Sequence, residues 1–238
     1  ETHTGCRSSA ASDVYKRQGL VAAAFWFYAL PASMVPPLVA LASVVAQLVG
    51  LFAVRASFAW RRAAPYLIGG VIGVPIGVTA LGMASPAMLR LTVGLLLIGY
   101  AAFQLTALAR MGIANRCRRA ADGAIGLAGG FLGGFAGLSG VLPLVWLQLQ
   151  GGTSAGQRAT YQPFNLIVLA LAGIAMAIGG HVTEDVLTVP AAAVPATLLG
   201  AMAGVRAYAR ASEAAFKRLV LVLLLASGTG LIVQTLAG

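Results

Sequence analysis

Along this chain, long apolar windows without a charged residue alternate with short connectors that hold nearly all of the charge. Seven such windows occur, at residues 34–54, 65–89, 91–109, 123–157, 159–180, 186–205 and 219–238. About 20 apolar residues cross a bilayer as a helix, so six of the windows each predict one spanning helix. The exception is 123–157, whose 35 residues are too many for one span and too few for two spans with a turn. The connectors are too short to form a soluble domain. The pattern therefore predicts an all-α polytopic membrane protein.

Composition agrees with the pattern: of 238 residues, 59% are hydrophobic and 9% charged, which excludes a soluble globule with a polar surface. Sixteen Lys and Arg against six Asp and Glu would suggest nucleic acid in a soluble protein. Here the basic residues lie in the connectors and read as topology signals facing anionic lipid, so the lipid bilayer is the expected partner and nucleic acid is not. Cys6 lies in the N-terminal tail and Cys117 alone in a basic connector. That leaves no internal disulfide, metal cluster or thiol relay, and no cofactor is implied.

Residues 1–18, ETHTGCRSSAASDVYKRQ, have neither an apolar core nor a small-residue cleavage site. The run SSAASDVYKRQ resembles the translation of a sequencing-library adapter, and the native protein is expected to start near Gly19 after truncation. The alternative is an ordinary disordered cytosolic tail.

Sliding the chain by 127 positions aligns two stretches without a gap. Gly73 falls on Gly200, Gly77-Val78 on Gly204-Val205, Ala84-Ser85 on Ala211-Ser212, Arg90 on Lys217, Val93 on Val220, Leu96-Leu97 on Leu223-Leu224, and Pro36 on Pro163. This duplication divides the chain into a tail (1–18), a first transmembrane repeat (19–109, incomplete), a basic cytoplasmic linker (110–122) and a second repeat (123–238). Charge gives the relative orientation. Arg55, Arg61 and Arg62 mark a cytoplasmic connector, Arg90 an outer one, and Arg110, Arg116, Arg118 and Arg119 a cytoplasmic one. In the second copy the bias changes sides: the counterpart of the first connector holds His181, Glu184 and Asp185, and that of the Arg90 connector holds Arg206, Arg210, Lys217 and Arg218. The two copies are thus expected to be inverted, a common plan among transporters.

Inversion needs an odd number of crossings per copy, yet the second copy has four apolar segments. The glycine-rich stretch GLAGGFLGGFAGLSGVLPLVW, residues 126–146, is the one expected not to cross. Glycine disfavours helix by about 1 kcal/mol per residue relative to alanine, and Pro143 removes a ladder donor. Two half-helices meeting at 137–140, a broken or re-entrant element, are one outcome. The other is a single tilted helix whose glycines permit close packing.

No Asp or Glu falls within an apolar window; Asp122, Glu184, Asp185 and Glu213 are all placed in connectors. Proton- and metal-coupled carriers usually need intramembrane acids. Half-helix N-termini instead present unpaired N–H groups that suit an anion. Gly137, Ser139 and Gly140 are the first candidates for a small-molecule anion site, through backbone donors and the Ser139 hydroxyl, with helix packing as the rival role. Gln162 and Asn165 flank Pro163 and either reach the same cavity or stay interfacial. Arg158 attracts anions at the mouth or contacts lipid headgroups. Gln47 is read as an interhelical hydrogen-bonder.

The residues resemble the TauE/SafE family of sulfite exporter-like permeases. The resemblance rests on GLAGGFLGGFAGLSGVLP in the second half, on GLVAAAFWFYALP with VPPLVALAS in the first, and on Trp60-Arg61 before PYLIGGVIGVPIG. Gln-Arg-Ala-Thr at 157–160 and Gly179-Gly180 complete it, over residues 19–238. It implies a permease or exporter of small anions, with sulfite, sulfonates and related organosulfur acids as the substrate class, multi-pass in a bacterial inner membrane. Two rivals stand beside it. GLSG, residues 137–140, has the form seen in rhomboid-type intramembrane serine proteases, for which His181 is the only base near the apolar segments. A non-transporting structural role is the other.

Overall fold

The computed structural model of the chain describes residues 26, 30–53, 58–105, 118–151, 153–182 and 213–237. All of its regular elements are helices: α1 (Val35–Ala53), α2 (Trp60–Met83), α3 (Pro86–Leu105), α4 (Arg118–Ala136), α5 (Val141–Leu149), α6 (Ser154–Ile178) and α7 (Glu213–Ala237). Four have stretches long and apolar enough to cross a membrane: Trp60–Met83, Pro86–Leu105, Ala155–Ile178 and Arg218–Leu236. The protein is thus an all-α polytopic membrane protein. The window 186–205, the Glu184-Asp185 connector, the tail 1–18 and the repeat matches at Gly200 to Ser212 lie outside the described residues.

Helix boundaries follow backbone chemistry more closely than charge. The expected connector at Arg90 is instead Ala84-Ser85, and Arg90 lies inside α3. Pro86 is the reason, because proline disfavours the helical conformation in the residue before it and suits the first helical position. Ala84, where α2 ends, is extended with ψ 135°, and Ser85 Oγ accepts from the Met88 N–H at 3.2 Å. At the start of α6, Thr153 Oγ1 accepts from the Gly156 N–H at 3.2 Å. At its end Gly180 takes φ 74°, and the N–H groups of Gly180 and His181 return to the carbonyls of Ala177 and Met176, closing the helix with a glycine cap. Arg158, expected in a connector, therefore lies within α6.

Two helix pairs organise the bundle. Along α2 and α4 the glycines lie against the opposite backbone: Gly69, Gly73 and Gly77 against Gly123, Leu127 and Phe131, and Gly126, Gly130 and Gly134 against Tyr66, Gly70 and Val74. Both numbers rise together, so the two helices run parallel at backbone contact, which a side chain on either would prevent. The second pair is α3 with α7. Gly94 faces Leu231 and Ile232, while Leu97 and Ile98 face Gly228, so these helices run antiparallel. They are also counterparts under the 127-residue offset. Val93 and Val220, one matched pair, are both buried, as are Leu97 and Leu224. Elsewhere Tyr66 packs edge-on to Phe164 with ring centres 6.3 Å apart, joining α2 to α6 in the core.

Candidate functional site

The glycine-rich segment is neither a straight helix nor a free loop. α4 stops at Ala136, Gly137 takes φ 73°, and the Leu138 N–H turns back to the Leu132 carbonyl at 3.2 Å. After Ser139 and Gly140 the chain enters α5, which runs back along α4. A methyl placed on Gly133 would meet Ser139, and one on Gly129 would meet Ser139 and Pro143. At the far end Trp146 Nε1 and Gln150 Nε2 both donate to Asp122 Oδ1, at 2.8 and 2.6 Å. The two ends of this hairpin therefore lie together, and the tilted single helix is excluded. Pro143 falls in the first turn of α5, where its missing N–H leaves no ladder bond unmade.

These contacts also explain why the segment is so rich in glycine. One face of α4, at Gly126, Gly130 and Gly134, admits the backbone of α2; another, at Gly129 and Gly133, admits the returning arm. Gly137 supplies the left-handed turn residue and lies against Pro36, Val39 and Ala40 of α1. Packing and breakage, weighed above as rivals, are both satisfied by different glycines.

Every residue from Leu132 to Val141 is buried, so the turn forms the centre of the site. Ser139 is fully buried, and its hydroxyl donates to Asn165 Oδ1 at 2.7 Å. Gly140 lies against Tyr161 and Asn165. Among the described residues no backbone carbonyl accepts from the N–H groups of Ser139, Gly140, Val141 or Leu142, the open donors of a helix N-terminus. Freed backbone of this kind persists inside a membrane protein only where protein or a cavity covers it, and here α1 and α6 do so.

Of the residues picked from the sequence, Gly137, Ser139, Gly140 and Asn165 come together at the turn. Gln162 is half-buried, and its Oε1 is buried with no described donor. Arg158 is half-buried seven residues before Asn165, about 10 Å along the helix, and is not brought to the turn. His181, beyond the far end of α6, lies near Gly82. Sixteen residues, about 24 Å of helical rise, separate it in height from Asn165, the partner of Ser139. The described residues thus offer Ser139 no histidine base.

Two groups escaped the sequence reading. Gln104 Nε2 donates to Tyr100 Oη at 3.0 Å and to Gln148 Oε1 at 3.1 Å, linking α3 to α5. The second group corrects the placing of Asp122 in a connector: it lies in α4 and is 5% exposed. Besides Trp146 and Gln150, Tyr66 Oη donates to its Oδ1 at 2.6 Å. The cluster of arginines just upstream made it look like loop, but α4 begins among them. Trp146, Gln148 and Gln150, closing an otherwise apolar window, were the available signal for both groups. The argument from a lack of buried acids falls with this correction, and the anion reading rests on the turn.

A family model described as sulfite exporter TauE/SafE matches residues 18–231. No curated protein and no solved structure matches the chain.

Proposed function

The chain belongs to the sulfite exporter TauE/SafE family, a family of membrane transporters, and we propose that it carries small anions, with sulfite, sulfonates and related organosulfur acids as the substrate class, across a bacterial inner membrane. The observation that carries this reading is the buried break at 137–140. It holds N–H groups with no acceptor among the described residues at the N-terminus of α5, beside Asn165 and Tyr161, inside the bundle. Backbone donors at a helix N-terminus bind an anion without a fixed positive charge, which allows release as well as capture. Ser139 donates its hydroxyl hydrogen bond to Asn165, and an arriving anion would accept that hydrogen bond in place of Asn165. Tyr161 and Gln162 stand within the same turns of α6 and complete the proposed lining, while Arg158 is assigned to the mouth.

α5 has nine residues, about 14 Å of rise, less than half of a hydrocarbon core about 30 Å thick. With both hairpin ends at one face, the N-terminus of α5 is held near mid-depth, where transporters of inverted-repeat design hold substrate. The antiparallel packing of the offset counterparts α3 and α7 is what such a design requires. Rocking of one repeat against the other would expose the turn alternately to each side.

Flux into proteoliposomes holding the purified chain tests the proposal. Uptake of labelled sulfite or isethionate that falls at least several-fold in Ser139→Ala and Asn165→Ala is the expected result. Cation uptake without anion uptake would overturn it. An activity-based serine probe that labels the chain through Ser139 would move the assignment to hydrolysis.

A further inference from the structure

The outer side of the α2–α4 seam carries a groove that the transport reading does not use. Its volume is about 380 Å³, within the about 300–1,000 Å³ of ligand clefts. Ile68 and Ile72 of α2 form one wall and Leu127 of α4 the other, with Gly69 and Gly123 as the floor. The three wall side chains are exposed, Ile68 by 65%, so the groove opens toward the bilayer. A methyl on Gly123 would meet only the Pro65 carbonyl oxygen, at 3.7 Å, and the missing side chain there keeps the floor low.

One end of this apolar groove is cationic. Arg119 lines it, and on α2 the residues Arg61, Pro65, Ile68 and Ile72 recur at helical spacing, which places Arg61 on the groove face. Each arginine stands one turn ahead of the point where the Pro65 carbonyl faces Gly123. They therefore share a height, on helices whose axes are no more than about 8–10 Å apart. Both are exposed, and among the described residues neither side chain has a hydrogen-bonding or acidic partner. Arg62 differs, since its Nη2 donates inward to Gln150 Oε1 at 3.4 Å. Trp60, next to Arg61 and 52% exposed, marks this height as the membrane interface, where tryptophan collects.

The dimensions suit a lipid. From Arg61 to Ile72 the helix rises about 16 Å, close to one leaflet of a hydrocarbon core about 30 Å thick. A chain laid along the groove thus starts at the arginines and ends near mid-depth. Two guanidinium groups without a counter-charge favour a headgroup of net negative charge, and the ammonium of a zwitterionic lipid would add a positive charge to the same site. We propose that the groove binds one anionic phospholipid, with its phosphate between Arg61 and Arg119 and one acyl chain over Gly69 and Gly123. The lipid spans the seam between α2 and α4 and so ties together the two helices that carry the turn. The assignment stands apart from what the protein transports.

Thermal unfolding of the purified full chain in detergent, with phosphatidylglycerol added, tests the site. The midpoint should rise with lipid concentration, since a ligand of the folded state stabilises it by mass action. Phosphatidylcholine and inorganic phosphate at the same concentrations should not reproduce the rise. Arg61→Gln and Arg119→Gln should each raise the phosphatidylglycerol concentration needed by about fivefold. Gly123→Leu fills the floor without touching either arginine and should lose the response, whereas Arg218→Gln, which alters an exposed arginine of α7, should keep it. An equal rise with phosphatidylcholine, or one reproduced by phosphate alone, overturns the proposal. So does an unchanged response in Gly123→Leu, or a loss in Arg218→Gln equal to that in Arg119→Gln, because either outcome describes diffuse attraction of basic surface to lipid. Native mass spectrometry of the unaltered chain gives a readout that needs no variant: one phosphatidylglycerol should be retained in preference to phosphatidylcholine, and the absence of that preference overturns the site.

Discussion

Adding one methyl group to Gly73 and the same group to Gly99 should have opposite effects, although both glycines lie inside helices of an apolar chain. Alanine is worth about 0.5–1 kcal/mol over glycine in a helix interior, so propensity alone predicts a gain at both positions. At Gly99 of α3 nothing lies within 4 Å of the new methyl, and the gain should be seen. At Gly73 of α2 the methyl falls 2.7 Å from the Phe131 backbone nitrogen and closer still to the Leu127 carbonyl oxygen. Neither atom can rotate away, because both belong to the backbone of α4. Relief to an ordinary contact of about 3.4–4 Å requires the helices to part by roughly an ångström, and that opens the neighbouring contacts at Gly69, Gly77, Gly130 and Gly134. Overpacking of a well-packed interface costs about 1–3 kcal/mol, and the lack of any rotamer escape puts Gly73→Ala at the upper end. The propensity gain is common to both variants, so their difference should be about 3 kcal/mol, or roughly 6–12 °C in midpoint at about 2–4 °C per kcal/mol. Thermal unfolding of the purified proteins in one detergent, followed by circular dichroism, measures it. A Gly73→Ala midpoint equal to or above that of Gly99→Ala would show that α2 and α4 are not in backbone contact, and the parallel glycine pairing would be wrong.

Three further outcomes follow from the same geometry. Gly137→Ala meets both a left-handed backbone, about 1–2 kcal/mol for an L-residue, and the Pro36 carbonyl oxygen 2.7 Å away; it should lower both midpoint and anion flux, whereas Gly180→Ala, also left-handed but with open space around it, should cost only the first of these. Single cysteines at the exposed positions Ala120 and Thr153, in a Cys6→Ser, Cys117→Ser background, should both be reached by an impermeant thiol reagent from the same side of sealed vesicles; labelling from opposite sides would mean that the hairpin does not re-enter. Thr153→Ala removes the cap of α6 and should cost about 1 kcal/mol of stability without changing substrate selectivity, because among the described residues the hydroxyl bonds only to its own helix terminus.

How far the sequence carried can be seen at particular residues. The helical membrane class, the break at 137–140, the glycine-ended helix at 179–180 and the family resemblance are local or compositional properties. Apolar run length, the backbone freedom of Gly137 and the missing donor of proline act within a few residues, and so they are legible in one dimension. The helix boundary at Arg90 was misplaced by treating charge as a connector signal, when the backbone constraint of Pro86 decides it. Arg158 was misplaced for the same reason, since a helix capped by Thr153 carries its polar first turns with it.

What only the tertiary structure decided is which distant residues share a space. Ser139 and Asn165 are 26 positions apart, and Tyr66 and Asp122 are 56 apart; nothing in the intervening residues dictates either hydrogen bond. Each depends on the register between helices, and that register is set here by backbone contact along the glycines of α2 and α4. A glycine reads identically in the sequence whether it admits a neighbouring helix, a returning arm or a left-handed turn. Its partner makes the difference, and the partner is chosen by packing in three dimensions.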